Sequence, residues 1–427
     1  MKKFLTASAL TAVCLWNTSA LASGYQLNEY SVTNLGRSFA GAGVVGDDYS
    51  AIAYNPAGMT LKKSGVQASF TMAEVASEMK GQHASDPKED RYGQQTEMDF
   101  GVPLPAVYGQ YKVNDKWFVG AGIYAPYGLA TKYKTDSYIN DKARKSLLEV
   151  VDYNLSAAYK ANSQWSFGIS LVARYIYGHM TNNINGNALN PLLPNAAVGN
   201  SDFELDGWTY TGTVGVMYEP SQNTRIGLSY KPKSVQRVKG DHTIDVNALG
   251  MAAGLGSFAG VYADGKASPD LPATTLLSVY HKPFEKVAFT GSVRYTQWSD
   301  SFEKFDMTSS FTKGLHLKPV DYSWDDTWTV SFGTEYYLNK NWTLRAGTAW
   351  DQSPTPDNRH RTHRIPDSDR IWASAGVSYR YDNMQFDLGY AHLFMKKSHI
   401  RDSVNGDYNT KYRAYSNMFG LGFQYDF

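Results

Sequence analysis

Cysteine is almost absent from this chain, and the single one, Cys14, lies near the N-terminus. The residues around it have the order of a secretory signal: residues 1–3 (MKK) are basic, an apolar stretch follows, and residues 20–22 (ALA) form a typical cleavage site. We therefore predict a signal peptide over residues 1–22 and a mature chain without cysteine. Such a chain has no disulfide, no thiol nucleophile and no cysteine-ligated zinc.

Long apolar runs and a strong charge of one sign are lacking as well. Beyond the signal no stretch approaches the roughly 18–20 uninterrupted apolar residues that a membrane helix needs, and the mean hydropathy is negative. A helical membrane protein is therefore excluded. Loss of Lys2 and Lys3 with the signal takes the formal charge from +1 to −1, so nothing in the charge indicates a nucleic-acid partner.

Aromatic residues and glycine are abundant, with 31 Tyr, 10 Trp and 37 Gly in 427 residues. Such a composition suits the aromatic girdles of a membrane β-barrel. Near the C-terminus, bulky apolar side chains occupy Tyr415 and then every second position from Phe419 to Phe427. This period of two predicts a strand with one face toward lipid. The alternative is a soluble secreted β-sandwich, which would be unusual over about 400 residues without disulfides.

Segments of period two, bounded by turn residues, occur fourteen times after residue 65. Short turns and long connections alternate between them, as the periplasmic turns and external loops of an outer-membrane barrel do. We predict an all-β fold, a 14-stranded antiparallel transmembrane β-barrel over residues 66–427. Its seventh strand joins two pieces across Lys231-Pro232, which is its weakest point. The predicted strands are 66–75, 105–113, 117–125, 150–160, 165–178, 208–219, 224–246, 273–281, 286–297, 327–337, 342–350, 371–380, 384–395 and 415–427.

Residues 23–65 precede the first predicted strand, are rich in glycine and show little alternation. A barrel of fourteen strands has a lumen too wide for its own wall side chains to fill. We therefore predict that residues 23–65 form an N-terminal hatch that plugs the lumen. A disordered periplasmic extension is the alternative.

The chain contains two distinctive motifs. The first is GYQLNEYSVTNLGRSFAGAG followed by DDYSAIAYNPAGM, which contains Asn55, Pro56 and Ala57, and the second is IPDSDR at 365–370. Both resemble motifs of the FadL family of long-chain fatty acid and hydrocarbon channels. YGLATKY, WSFG, NWTLRAG and the aromatic C-terminus extend the similarity over most of the mature chain. The resemblance implies a monomeric barrel in the outer membrane of a Gram-negative bacterium. It also implies a hatch at Asn55-Pro56-Ala57 and a lateral gap for hydrophobic molecules at Gly128, where the third strand kinks inward.

The resemblance also implies a binding site for the ligand carboxylate. Family members use a lysine, an arginine and the amide of an aromatic residue near the mature N-terminus. Lys318 and Tyr25 match the lysine and the aromatic residue, but Asn182 stands where the arginine is expected, and His179 is the nearest titratable residue. Without that arginine an aromatic hydrocarbon becomes a credible ligand beside a fatty acid.

Other partners follow from the surface and from the resemblance. The basic loop with Arg359, Arg361 and Arg364 predicts contact with lipopolysaccharide, because compact positive charge favours phosphate groups. By resemblance, the barrel-assembly machinery reads the terminal aromatic residue, Phe427. No metal, cofactor or catalytic residue is predicted. Apolar residues of two long connections predict an external groove at Leu189, Leu192, Leu193, Leu249, Met251, Leu255 and Phe258.

Three alternative functions remain beside a passive channel for hydrophobic molecules. A general hydrophilic porin would need an open lumen, which the predicted hatch opposes. An outer-membrane lipase or protease would need a nucleophile beside a base, and no local spacing of Ser, His and Asp supplies that pair. A role as adhesin or phage receptor is compatible with the channel.

Overall fold

The computed structural model describes residues 24–83, 94–134, 137–186, 196–258, 260–309, 319–401 and 408–427. The predicted signal peptide lies outside these residues, and so do Lys318, Leu189, Leu192 and Leu193. Within the described ranges, no helix is both long and apolar enough to cross a membrane.

The described residues form twenty strands, and fourteen of them close into one antiparallel ring, as the sequence predicts. The strands are β1 Gly65–His83, β2 Gln94–Lys112, β3 Trp117–Lys132, β4 Lys145–Lys160, β5 Trp165–Asn185, β6 Ala197–Ser221, β7 Thr224–Lys231, β8 Val238–Val246, β9 Val261–Ala267, β10 Ala273–Phe284, β11 Val287–Gln297, β12 Lys304–Phe305, β13 Met307–Ser309, β14 Val320–Asp321, β15 Thr327–Tyr337, β16 Trp342–Asp351, β17 Arg370–Tyr381, β18 Met384–Met395, β19 Ser398–Ile400 and β20 Tyr408–Asp426. The ring runs β1 to β7, β10, β11, β15 to β18 and β20, and β20 pairs with β1 to complete it. Closure leaves no unpaired sheet edge at the seam.

The seventh predicted strand is two strands in the structure. β7 ends at Lys231 because the next residue, Pro232, has no N–H for the ladder. β8 then pairs with the first part of β6 and with β9, and it makes no ladder with β10. The prediction of one strand over 224–246 was therefore wrong at the position where it was weakest.

Side chains of the wall alternate between the two faces of the sheet. On β20, Phe419, Leu421 and Phe423 are exposed, whereas Met418 and Gln424 are buried. Trp117, Trp165 and Trp342 are also exposed and begin strands that follow short turns. The outer face is thus the apolar and aromatic surface that a lipid-facing barrel presents.

Residues 24–64, which we call the inner segment, lie inside the barrel. Almost all of them are buried, and they pack against inward-facing residues around the ring. Ser31 caps the first helix by accepting a hydrogen bond from the Asn34 amide (3.2 Å). The helices are α1 Val32–Leu35, α2 Ala51–Tyr54 and a 3₁₀ helix Pro56–Leu61 in the inner segment, and α3 Ala248–Ala252 and a 3₁₀ helix Gly256–Phe258 between β8 and β9.

Candidate functional site

The wall opens between β2 and β3. These strands pair only where Val107–Lys112 meet Phe118–Ile123. Beyond Ile123, β3 bends away, and its register with β4 shifts between Tyr124 and Tyr127. Pro126 lies in this irregularity and can donate no ladder hydrogen bond. The far half of β3 therefore leaves its neighbour β2.

The inner segment takes the place of β2 beside the bent part of β3. The Leu27 amide donates to the Pro126 carbonyl and the Gly128 amide donates to the Tyr25 carbonyl, both at 2.9 Å. Gln26 lies opposite Tyr127 in this short ladder. A Cβ atom at position 128 would lie 3.1 Å from Leu27 Cδ1, so glycine permits the close approach.

An apolar cavity of about 100 Å³ lies at the opening, and we call it the lateral cavity. Leu27 and Gly128 border it from the inside, and Glu149 is its only acidic lining residue. Its surface therefore suits a hydrocarbon chain. Its lining is Leu27, Val102, Pro103, Leu104, Pro105, Ala106, Val107, Ile123, Tyr124, Ala125, Tyr127, Gly128, Leu129, Leu148, Glu149, Val150, Val151, Tyr153 and Tyr175.

A second apolar cavity, of about 70 Å³, lies inside the barrel, and we call it the interior cavity. Leu129 and Leu148 line both cavities, so only a few side chains separate the two spaces. Its lining is Tyr25, Leu129, Ser146, Leu147, Leu148, Ile176, Gly178, Met180, Leu205, Val238, Ala267, Pro269, Phe302, Phe305, Met307, Val320, Tyr322, Arg364 and Ile365.

Tyr25 occupies an aromatic cage at this boundary. Its ring centroid lies 4.9 Å from that of Trp298 and 5.3 Å from that of Phe302, both edge to face. Its hydroxyl donates to the Asp270 carbonyl at 3.4 Å, which is a long hydrogen bond. The Gly24 amide donates a hydrogen bond to Asp367 Oδ2 at 3.0 Å. Aromatic rings therefore surround Tyr25, and the Asp367 carboxylate holds the residue before it.

Arg364 is the cation of the interior cavity. Its guanidinium donates to Ser146 Oγ at 3.0 Å and to Asn182 Oδ1 at 3.1 Å. No carboxylate in the described part of the chain forms an ion pair with it, and burial lowers its pKa from the usual value. Arg364 thus contacts the asparagine that stands where the family arginine is expected. Arg364 lines the interior cavity, a position that does not support its predicted lipopolysaccharide contact, which stays a prediction.

Two further predicted site residues, His179 and Arg361, lie away from their predicted partners. His179 is not in the interior cavity, since Ile176, Gly178 and Met180 of the same strand face it, and His179 Nε2 lies 2.9 Å from Asp202 Oδ1 on the opposite face. This position does not support the predicted ligand contact of His179, which stays a prediction.

Arg361 is the second of these residues. It is buried, and it donates to the carbonyls of Asp367 (2.6 Å) and His399 (2.9 Å). This burial does not support its predicted lipopolysaccharide contact, which stays a prediction. Of the three arginines proposed for that contact, Arg359 is the exposed one, with an ion pair to Asp357 at 3.3 Å.

Asn55-Pro56-Ala57 is fixed against the wall. Asn55 Oδ1 accepts from the Ala57 amide (3.1 Å), and its Nδ2 donates to the Val216 carbonyl (3.2 Å). The facing positions are glycines: a Cβ would lie 2.0 Å from Asn55 Oδ1 at Gly215 and 2.3 Å from Ala57 N at Gly168. A side chain at Gly215 or Gly168 would occupy the space of the motif, so these two glycines form recesses that accept it.

Buried ion pairs hold the same part of the inner segment. Arg37 contacts Asp47 (2.7 Å) and Glu335 of β15 (2.6 Å). Arg345 of β16 contacts both of these carboxylates at 2.9 Å. Two cations and two carboxylates thus join the inner segment to two neighbouring wall strands.

Comparison with known proteins agrees with this architecture. The profile of the family described as Outer membrane protein transport protein (OMPP1/FadL/TodX) matches residues 13–427. A long-chain fatty acid transport protein of Escherichia coli is 30% identical over 457 residues, covering 100% of this chain and 99% of that protein. The crystal structure of a Pseudomonas aeruginosa FadL homologue superposes with a TM-score of 0.83 at 23% identity, covering 95% of this chain and 100% of that one. The Pseudomonas putida toluene transporter TodX gives a TM-score of 0.70 at 16% identity, with coverage of 95% and 100%.

Proposed function

This chain belongs to the FadL/TodX family of outer-membrane transport proteins, and from that premise we propose that it is a passive channel for hydrophobic molecules, chiefly long-chain fatty acids. The family is one of transport channels and not a class of enzyme, and its members lie in the outer membrane. The observation that carries the proposal is the pair of apolar cavities that share Leu129 and Leu148.

The route leads from the interior cavity to the lateral cavity and then into lipid. Tyr25 lines the first space and Leu27 lines the second, so the start of the inner segment stands between them. Ligand in the interior cavity would displace Tyr25, and the short ladder to β3 would open with it. The hatch acts in this proposal through its first residues, whereas Asn55-Pro56-Ala57 stays fixed in its glycine recesses.

Arg364 supports a fatty acid as the ligand. A cation without a carboxylate partner, set in an apolar cavity, offers charge-assisted hydrogen bonds to a ligand head group. Tyr25 lies across the same cavity, and Lys318 stays a proposed contact that lies outside the described residues. The second candidate is an aromatic hydrocarbon, which the apolar lining of both cavities would also accept.

The remaining partners are proposals of the same kind. Arg359 is exposed in the basic loop and would contact lipopolysaccharide phosphate. Phe427 is exposed at the end of β20 and would be read by the barrel-assembly machinery. The barrel would act as a monomer, surrounded by outer-membrane lipid.

The test of the lateral route is Gly128→Leu. A leucine there would push against Leu27 and fill the lateral cavity, so uptake of radiolabelled oleate should fall at least about tenfold while the barrel still folds. Gly291→Leu is the matched control, because a Cβ at that wall position meets only the Ser331 carbonyl, at 3.7 Å. Folding is read from the heat-dependent shift in electrophoretic mobility. Unchanged uptake of both oleate and toluene by Gly128→Leu would refute the lateral route.

A further inference from the structure

A third cavity, small and polar, lies between the inner segment and the wall strands β7, β10 and β11. We call it the polar cavity; its volume is about 40 Å³, enough for a water cluster or one carboxylate group. Pro126 and Tyr127 also line it, so it is placed behind the bend of β3 that forms the lateral opening. Its lining is Gln26, Tyr30, Ala53, Tyr54, Pro126, Tyr127, Thr213, Ser229, Lys231, Thr274, Leu276 and Arg294.

Arg294 is the unusual member of this lining. Only 8% of its surface is exposed, and none of the hydrogen bonds or ion pairs found among the described residues includes it. A buried guanidinium carries five N–H donors and a full charge, and leaving both without a partner is costly. The polar cavity in front of Arg294 is the space from which a partner could be supplied.

Positive charge also exceeds negative charge around the cavity. Lys231 Nζ lies 3.7 Å from Asp152 Oδ2, but Arg174 already holds both oxygens of that carboxylate, at 2.6 and 2.8 Å. In the part of the chain that the structure describes, Arg174 and Lys231 therefore contact the same carboxylate, and Arg294 forms an ion pair with none. An anion in the cavity would restore the balance.

The start of the inner segment reaches this cavity directly. Gln26 Oε1 accepts from Thr296 Oγ1 at 3.0 Å, and its Nε2 donates to Thr274 Oγ1 at 3.4 Å. Gln26 stands between Tyr25, at the interior cavity, and Leu27, at the lateral cavity. Displacement of these residues would therefore expose the polar cavity and the lateral opening together.

We propose that Arg294 and Lys231 form an internal carboxylate site, which receives the head group of the transported acid after it leaves Arg364 and before its chain enters the lateral cavity. The inference rests on the proposed function and deepens it, because it makes the channel selective for amphiphilic acids during passage and not only at entry. Hydroxyls of Thr213, Ser229 and Thr274 border the site and supply further donors.

The test compares oleate with oleyl alcohol, which has the same chain without the charge. Uptake is measured in cells that lack other channels of this type, and equilibrium binding is measured with the purified full chain. Arg294→Gln should lower oleate uptake about tenfold, leave oleyl alcohol uptake unchanged and leave oleate binding unchanged. Arg364→Gln should instead weaken oleate binding. Arg413→Gln, at an exposed position of β20, is the matched control.

Arg294→Lys keeps the charge and should restore oleate uptake, and Lys231→Gln gives a second variant if Arg294→Gln fails to fold. Equal changes for oleate and oleyl alcohol, or no change for either, would overturn the carboxylate site while the channel function stands. A wild-type chain that takes up neither ligand above the empty strain would refute the proposed function itself.

Discussion

Residues 24–30 and residues 31–64 form one continuous inner segment, yet different forces hold them in the barrel. The later part is held by the buried ion pairs of Arg37 with Asp47 and Glu335 and by the glycine recesses around Asn55. The first part is held by a short ladder to β3 and by the aromatic cage around Tyr25. The difference supports our proposal that residues 31–64 stay fixed while residues 24–30 are displaced, and residues 24–30 border all three cavities.

Disrupting the buried ion pairs that hold residues 31–64, which we call the anchor, should have the largest effect. Glu335→Gln removes one carboxylate from the buried network and leaves Arg37 and Arg345 with Asp47 alone. We expect the free energy of unfolding to fall by about 3–5 kcal/mol, because a buried charge loses its partner. Denaturant unfolding in detergent micelles measures this loss. Glu78→Gln, which breaks the exposed pair with Lys80, should change little, and equal stability of the two variants would contradict the anchor.

A disulfide that joins residues 24–30 to β3 should block transport without lowering the stability of the barrel. Gln26 and Tyr127 face each other between the hydrogen-bonded positions of the short ladder, a geometry that brings Cα atoms to about 4.5 Å and suits a disulfide. In the double variant Gln26→Cys, Tyr127→Cys, oxidation should lower oleate uptake about a hundredfold. A reducing agent should restore it, and each single variant should be insensitive to oxidant. Full uptake by the oxidised protein would show that these residues need not move.

A smaller effect should follow from pH. Burial raises the pKa of Glu29 from 4.5 to about 7. The Glu29 carboxyl group therefore binds a proton more tightly in the folded protein than in the unfolded chain. Protonated Glu29 therefore makes its full contribution to the stability of the folded state below pH 4.5, and this contribution is lost as the pH rises through 7. Between pH 6 and pH 8, protection of amides in residues 24–30 should fall about tenfold.

Hydrogen exchange, corrected for the intrinsic rate at each pH, measures that change. Glu29→Gln should make the protection independent of pH, and amides of the anchored part should show no such dependence in either protein. A pH-dependent loss that persists in Glu29→Gln would assign the effect to another group.

Alternation in the sequence was sufficient to predict the barrel, because each wall strand has one face toward lipid. The same alternation could have placed His179 correctly: Phe167, Ile169 and Leu171 face outward, and His179 has the same parity on β5. Composition could not predict that the chain forms two separate strands on either side of Pro232. Both β7 and β8 alternate, and they differ only in the strands with which they pair.

Arg364 and Arg294 show what the sequence could not give. Arg364 lies in a dense basic loop, and charge pattern alone does not say which side chain turns inward. Arg294 lies in a strand whose alternation predicts only an inward face, while its lack of a partner depends on residues from distant parts of the chain. Both features depend on residues from distant parts of the chain, which local sequence does not encode.

The seam between β20 and β1 has a consequence for the order of events during assembly. The Phe427 amide donates to the carbonyl of Ser64, the last residue of the inner segment, at 3.0 Å. β20 follows every other strand along the chain, and the inner segment precedes them all. A ring closed first would force some forty residues to thread through a lumen whose glycine recesses leave no slack. We therefore expect the barrel to close around the inner segment, with the pairing of β20 and β1 as the last step.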